Sequence, residues 1–277
     1  MPELPEVETV RRSLDVILNH TITSARALRP DIFSPHSPSP DQLLLGARIT
    51  SSMRTGKRLA LIADDGRAID FHLGMSGKLL LYPDPYHPLP AHTHGHWTLL
   101  GQKSRLCITL AFVDPRRFGH VRLHPSPRAL KASWSSLGPD ALTITPDLLS
   151  PRLANTSRAL KAALLDQQLL AGLGNIYTDE SCFMARLDPH RPADSLSPSD
   201  VSRLCEAVRS ILHAAIDLGG STLKDRTYVN AQGASGSAQS RHAVYARADQ
   251  PCKACSRPLL SSLISARTTT WCGHCQS

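Results

Sequence analysis

No apolar run in this chain approaches the ~18 residues that a membrane-spanning helix needs. The N-terminus also lacks a basic-then-apolar leader, because Glu3, Glu6 and Glu8 precede the first arginines. A soluble, cytoplasmic protein is therefore expected. Nothing signals secretion, so a disulfide scaffold is not the expected use of the cysteines. A dinucleotide fingerprint is absent too. Gly172-Leu173-Gly174-Asn175 lacks the third glycine and follows a helical stretch where a strand is required.

What is present is basic and metal-binding in texture. The formal net charge is +8 over 277 residues, enough chain for two domains or one with additions. Such a balance favours a polyanionic partner, nucleic acid first among them, although many solvated surfaces are also positive. Four of the seven cysteines fall as Cys252-x2-Cys255-x16-Cys272-x2-Cys275, a spacing suited to one structural zinc ion in tetrahedral coordination. Cys107, Cys182 and Cys205 lie in apolar surroundings and read as small core residues.

The patterning predicts a helix over 5–18, with Val7, Val10, Leu14, Ile17 and Leu18 on one face. Between 21 and 124, short apolar runs alternate with turn signals, which predicts a mostly antiparallel β sandwich or barrel. Proline and serine then accumulate, suggesting a linker near 125–145. Helical patterning resumes over 157–169, beyond the Gly172–Gly174 turn, and again after the cap Ser197-Pro198-Ser199-Asp200. The small polar stretch 231–240 has the composition of a mobile loop. Short strands are expected around the four cysteines.

Several segments admit two readings. Met1-Pro2-Glu3-Leu4-Pro5-Glu6 suits the positive end of a helix, with Pro5 in the first turn. If Met1 is removed, it also presents the Pro2 secondary amine, a usable nucleophile, beside two carboxylates. Arg54-Thr55-Gly56-Lys57-Arg58 is a hairpin turn whose lysine is either solvated or functional. Asp114-Pro115-Arg116-Arg117-Phe118-Gly119 is either a charged turn over a packed aromatic or a phosphate contact with an inserting side chain. The Gly172–Asn175 turn offers backbone N–H groups at a helix start, a natural phosphate site to which Lys161 could add charge. Arg267, near the tip of the cysteine hairpin, can reach a phosphate or simply face solvent.

Together these segments resemble the formamidopyrimidine-DNA glycosylases, bifunctional base-excision repair enzymes. The matching motifs are Pro2–Glu8, Thr55–Lys57, His72–Gly77, Asp114–Gly119, Leu164–Gln167, Gly172–Tyr177 and the four-cysteine module. They run in order along the whole chain, and Leu4 favours this branch over the related endonuclease VIII enzymes.

The resemblance implies an α+β fold. An N-terminal helix with an antiparallel β sandwich occupies 1–130, a helix–two-turn–helix domain 131–242, and a zinc β-hairpin 243–277. It implies excision of oxidised purines from duplex DNA, then strand cleavage at the abasic site, by a monomer. Pro2, Glu3, Lys57 and Arg267 are the implied catalytic residues, and Glu6 positions the flipped nucleotide. His94, Arg117, Lys161 and Asn175 are the implied DNA contacts. Met75, Arg116 and Phe118 are implied to fill the gap in the base stack. One region departs: Lys224 fits the family pattern, but Asn230–His242 carries no aromatic where the family has a lesion-capping loop. Altered recognition of 8-oxoguanine is expected from this. A pyrimidine preference of the endonuclease VIII kind, or a silent damage-binding protein, are the alternatives.

Overall fold

The computed structural model describes residues 2–36, 38–39, 42–84, 86–102, 106–223 and 227–277; Met1 and Lys224, both invoked above, lie outside them. The chain forms two compact units. One comprises the chain up to Ser135 together with Leu218–Ser237, and the other comprises Ser136–Asp217 with Ala238–Ser277.

In the first unit the opening helix α1 spans Leu4–Ser13 and tightens into a 3-10 turn over Leu14–Ile17. Its apolar face is buried as the spacing predicts, with Val7, Val10, Leu14 and Ile17 all within the core. Among the described residues nine strands follow: β1 (His20–Ala27), β2 (Phe33–Ser34), β3 (Ile49–Thr55), β4 (Arg58–Ala63), β5 (Ala68–His72), β6 (Lys78–Tyr82), β7 (Thr93–Gly101), β8 (Cys107–Val113) and β9 (His120–His124). They make a four-stranded sheet, β1-β7-β8-β6, and a five-stranded sheet, β2-β9-β5-β4-β3. The pairing is antiparallel except at β2, which runs parallel to β9. Alternation decides which face is inward: Leu59, Leu61, Ile69, Phe71 and Val121 share one core with Trp97, Leu99, Leu110 and Phe112 of the other sheet. Cys107 is half-buried on β8 rather than a core residue.

Helix α2 (Pro127–Ser133) occupies the stretch whose composition suggested a linker. Its proline sits in the first turn, where the missing N–H costs nothing, and Ser126 Oγ accepts the Ala129 N–H at 3.2 Å. Composition misleads here because the same residues punctuate loops and start helices.

The second unit is helical. It contains α3 (Pro146–Leu153), α4 (Leu160–Leu165), α5 (Asn175–Ala185) and α6 (Pro198–Asp217), then a hairpin of β10 (Leu260–Ile264) and β11 (Arg267–Trp271). Cys182 and Cys205 are buried between these helices, as expected. The cap of α6 is reciprocal, Asp200 N–H donating to Ser197 Oγ and Ser197 N–H to Asp200 Oδ2.

The segment with mobile-loop composition is fastened down. Ala231 N–H donates to Ser13 Oγ at 3.0 Å and Leu81 N–H to the Ala231 carbonyl at 2.8 Å. Asn230 Oδ1 accepts from both Gln232 and Ala234 N–H, and Tyr228 lies in the core. Small polar side chains here satisfy one another and the backbone, so low hydrophobicity does not leave the segment loose.

Glu8 is the electrostatic fastening of α1. Its buried carboxylate accepts from Arg11, Arg12 and Arg54, the last at 3.1 Å from β3. Burial alone would raise this acid, but the guanidinium bonds of Arg11 and Arg12, with the charges of Arg11 and Arg54, bring it down to about 2. Folding therefore gains from the carboxylate above pH 4.5, and the gain disappears as pH falls towards 2. Replacing Glu8 by Gln takes the counter-charge from the buried Arg54 guanidinium and is expected to lower the unfolding free energy by about 3 kcal/mol at neutral pH. Urea titrations across pH should also show a shallower acid limb for E8Q than for the unaltered protein.

Candidate nucleic-acid interface

Residues 2–6 are held by buried groups at the start of α1. Glu3 and Glu6 make a capping box at the start of α1, with Glu3 N–H donating to Glu6 Oε2 at 2.8 Å. The other oxygen, Glu6 Oε1, accepts Ser221 N–H at 2.7 Å across 215 residues of chain. Pro2, Glu3 and Glu6 are all buried. Gly220 is required beside this carboxylate, since its φ is +80 and an added Cβ would meet Glu6 Oε1 at 2.9 Å.

Lys57 lies in the two-residue turn between β3 and β4, whose first position, Gly56, has φ +55. Arg54 joins this turn to α1, donating from Nη1 to the Gly56 carbonyl at 3.0 Å and from Nε to Glu8. Sequence reasoning passed over Arg54, because its value depends on partners 46 residues away in one case and next door in the other.

The segments carrying Met75, Arg116 and Phe118 come together around Asp114. This buried carboxylate accepts from Ser76 Oγ at 2.5 Å and from Gly119 N–H at 2.7 Å, so it clips the Met75 turn to the Arg–Phe turn. The closeness is enforced by Gly74, where a Cβ would lie 2.5 Å from the Phe118 carbonyl carbon. Phe118 is 54% exposed, not packed beneath the turn, and the Arg116 guanidinium sits 4.9 Å from its ring centre. Arg117 is also exposed, with φ +58. His94 is different: it is buried on β7, and its Nε2 lies 2.7 Å from the Asp114 carbonyl.

In the second unit, two predicted residues converge on one carbonyl and a third lies next to it in the chain. Lys161 Nζ donates to Thr268 O at 2.9 Å, Asn175 Nδ2 donates to the same oxygen at 3.1 Å, and Arg267 is its exposed neighbour on β11. Lys161 is fully buried and paired with Asp179 at 2.7 Å. Burial pushes Asp179 up to about 6 even with the Lys161 ammonium beside it. Asn175 opens α5 after a turn that Gln167 organises, its Oε1 accepting Gly172 N–H and its Nε2 donating to Leu173 O, both at 2.9 Å. Glu180 accepts three consecutive N–H groups, from Ala243, Val244 and Tyr245, which fixes the start of the cysteine module. Asp179 and Glu180 were missed from sequence. Two adjacent acids in the middle of a helix that carries no basic residue were the available signal.

The four cysteine sulfurs lie within 4.8 Å of one another. Tetrahedral Zn–S bonds of ~2.3 Å imply sulfur pairs about 3.8 Å apart. Cys252–Cys275 at 4.0 Å and Cys255–Cys272 at 3.5 Å bracket that spacing, so the cluster fits a metal of this class.

Residues 1–121 match the family model of the formamidopyrimidine-DNA glycosylase N-terminal domain, and residues 137–227 match that of its H2TH domain. A formamidopyrimidine-DNA glycosylase of Thermus thermophilus is 40% identical over 286 residues, spanning 100% of this chain and 98% of its own length. This chain belongs to the formamidopyrimidine-DNA glycosylase family. Solved structures agree across the full length of both chains. Lactococcus lactis Fpg in complex with DNA containing an abasic site superposes with TM-score 0.89 at 30% identity, covering 100% of each chain. MutM in complex with DNA containing carbocyclic 8-oxo-G gives 0.87 at 31% identity, again covering 100% of each. Among the described residues, no helix is long and apolar enough to cross a membrane.

The metal cluster is directly testable. Elemental analysis of the purified protein is expected to give one bound metal per chain, and Cys272→Ser should abolish stoichiometric binding. Full metal content in the variant would show that the cysteines are not the ligands.

Proposed function

We propose that this chain excises oxidised purines, formamidopyrimidines and 8-oxoguanine, from duplex DNA and then cleaves the strand through an N-terminal Schiff base. The observation that carries the reading is the held chain start: Pro2 is buried, and the next N–H is fixed on a carboxylate that also grips Ser221. A nucleophile that must meet one sugar carbon needs such fixation. The relatives' names, and the abasic-site and 8-oxo-G DNA in the solved complexes, support the substrate class.

In this reading the Pro2 secondary amine, freed of Met1, attacks C1′ of the damaged nucleoside and the base departs. The ring-opened iminium makes the C2′ proton acidic, and β- then δ-elimination follows. Glu3 moves protons at the sugar, and Glu6 sets the nucleotide's place. Lys57 and Arg267 neutralise phosphates flanking the lesion and assist elimination. Unstacking the base costs a few kcal/mol, offset by Met75, Arg116 and Phe118 entering the stack and by the phosphate grip of Arg117 and Asn175. His94 and Lys161 contribute from buried positions. His94 bonds the backbone of the Arg–Phe turn, and Lys161 places a charge beneath Thr268, next to Arg267. The four cysteines hold zinc as a crosslink, since four thiolates leave no open coordination position for chemistry.

The lesion preference departs from that of the relatives in one respect. No aromatic occurs between Tyr228 and Tyr245, and Asn230–Ala234 closes on itself through the Asn230 side chain. A capping contact to a flipped purine then has to come from backbone and small polar groups, which favours formamidopyrimidines over 8-oxoguanine.

Borohydride reduction on an abasic-site duplex tests the central step. Protein lacking Met1 is expected to be trapped covalently, whereas protein retaining Met1 should bind the duplex and give no adduct. Absence of an adduct from the processed form would remove the lyase reading. Equal excision rates on formamidopyrimidine and 8-oxoguanine duplexes would remove the altered preference.

A further inference from the structure

The five-stranded sheet ends, beside the Met75 turn, in two stacked imidazoles. His72 is the last residue of β5 and pairs in register with Arg58 on β4 and His120 on β9. The His72 and His120 rings lie 4.9 Å apart and 13° from parallel. His72 Nδ1 accepts the Gly74 N–H at 3.2 Å. Gly74 itself has φ +59 and touches the Phe118 backbone too closely to admit a side chain. The turn bearing Met75 is therefore fixed from two sides, by the Arg–Phe turn and by one imidazole nitrogen.

That second fixation requires Nδ1 to be unprotonated, because an imidazolium would set its own N–H against the N–H of Gly74. The surroundings keep it so. Burial, the charge of Arg58 and the charges of Lys57 and Arg122 push His72 down to about 4, with Asp70 opposing. Burial and the neighbouring His72, Arg58 and Arg122 push His120 to about 4 as well, again against Asp70. Asp70 is itself committed to Arg58, whose Nε lies 3.2 Å away, and has His124 on its other side at 3.8 Å. His120 Nε2 is buried with no partner among the described residues, so the second ring contributes by stacking.

We infer that the stacked His72–His120 pair is a positioning device for base-stack insertion, holding the Gly74 N–H and thereby aiming Met75 beside Phe118. The inference rests on the reading of Met75 and Phe118 as inserted side chains. It separates two activities that a merely space-filling histidine pair would not. Excision from an intact duplex needs the base unstacked, whereas an abasic site has no base to unstack and draws less on the inserted residues.

The test compares His72→Leu, which removes the acceptor, with His72→Asn, whose Oδ1 stands in for Nδ1 without a titrating ring. Single-turnover excision of 8-oxoguanine by H72L is expected to fall at least about tenfold, equivalent to one short-range interaction in the transition state. Cleavage of a preformed abasic duplex should stay within about twofold, and H72N should recover most of the excision rate. Circular dichroism and thermal melts establish that each variant is folded. Equal loss of both activities, no loss of excision, or failure of H72N alongside H72L would each overturn the inference. Met75→Ala separates this from the underlying reading. If M75A lowers excision and H72L does not, the histidine inference alone falls. If M75A leaves the ratio of the two activities unchanged, the insertion reading falls first.

Discussion

The carboxylate of Glu6 is the joint on which the placement of the chain start in the first unit depends. Each of its oxygens takes one backbone N–H, from Glu3 at 2.8 Å and from Ser221 at 2.7 Å, so a single side chain joins the chain start to a segment over two hundred residues away. Charge-assisted bonds of this length in a buried setting are stronger than neutral ones, and leaving either N–H unpaired would cost ~1–3 kcal/mol. Around this joint the remaining contacts are arranged for rigidity. Gly220 leaves the carboxylate room, Tyr228 sends its hydroxyl to the Gly219 carbonyl at 3.0 Å, and Glu8 clips the same helix to Arg54 and so to the Lys57 turn.

The second unit uses the same principle with a different group. A main-chain carbonyl, Thr268 O, receives Lys161 and Asn175, and Asp179 completes the pairing of Lys161 while accepting Thr270 N–H at 3.3 Å. Buried charge here fixes a hairpin relative to two helices, and the exposed Arg267 inherits that fixed place. Stability alone does not require a buried ion pair, which an apolar pair could replace. Defined placement of a neighbouring side chain is what the arrangement supplies.

Much of this was legible in the sequence wherever local pattern decides structure. The face of α1, the cap of α6, the Gly56 turn and the four-cysteine spacing follow from periodicity, turn chemistry and ligand geometry, and three of the motifs that carry the family resemblance, Pro2–Glu8, Thr55–Lys57 and the four-cysteine module, sit on those elements. The parts that were not legible depend on distant partners. Nothing in residues 219–223 and 227–237 announces that they fold back beside α1, because their fastening is made of backbone groups and of Ser13, Asn230 and Thr222. Prolines at 127 and 146 look like linker punctuation and are helix starts. Lys161 and His94 are implied DNA contacts in the sequence, yet both are buried, and only the three-dimensional pairing with Asp179 and the Asp114 carbonyl reveals it.

The claim that the Glu6 joint positions the Pro2 amine is most directly tested by Glu6→Gln, measured as the rate of adduct formation with an abasic duplex under borohydride. An amide offers one acceptor oxygen, so its NH2 must face either the Glu3 or the Ser221 N–H, and one of the two bonds is lost. The account predicts a rate at least about tenfold lower with duplex affinity essentially unchanged. An unaltered trapping rate in E6Q would contradict it.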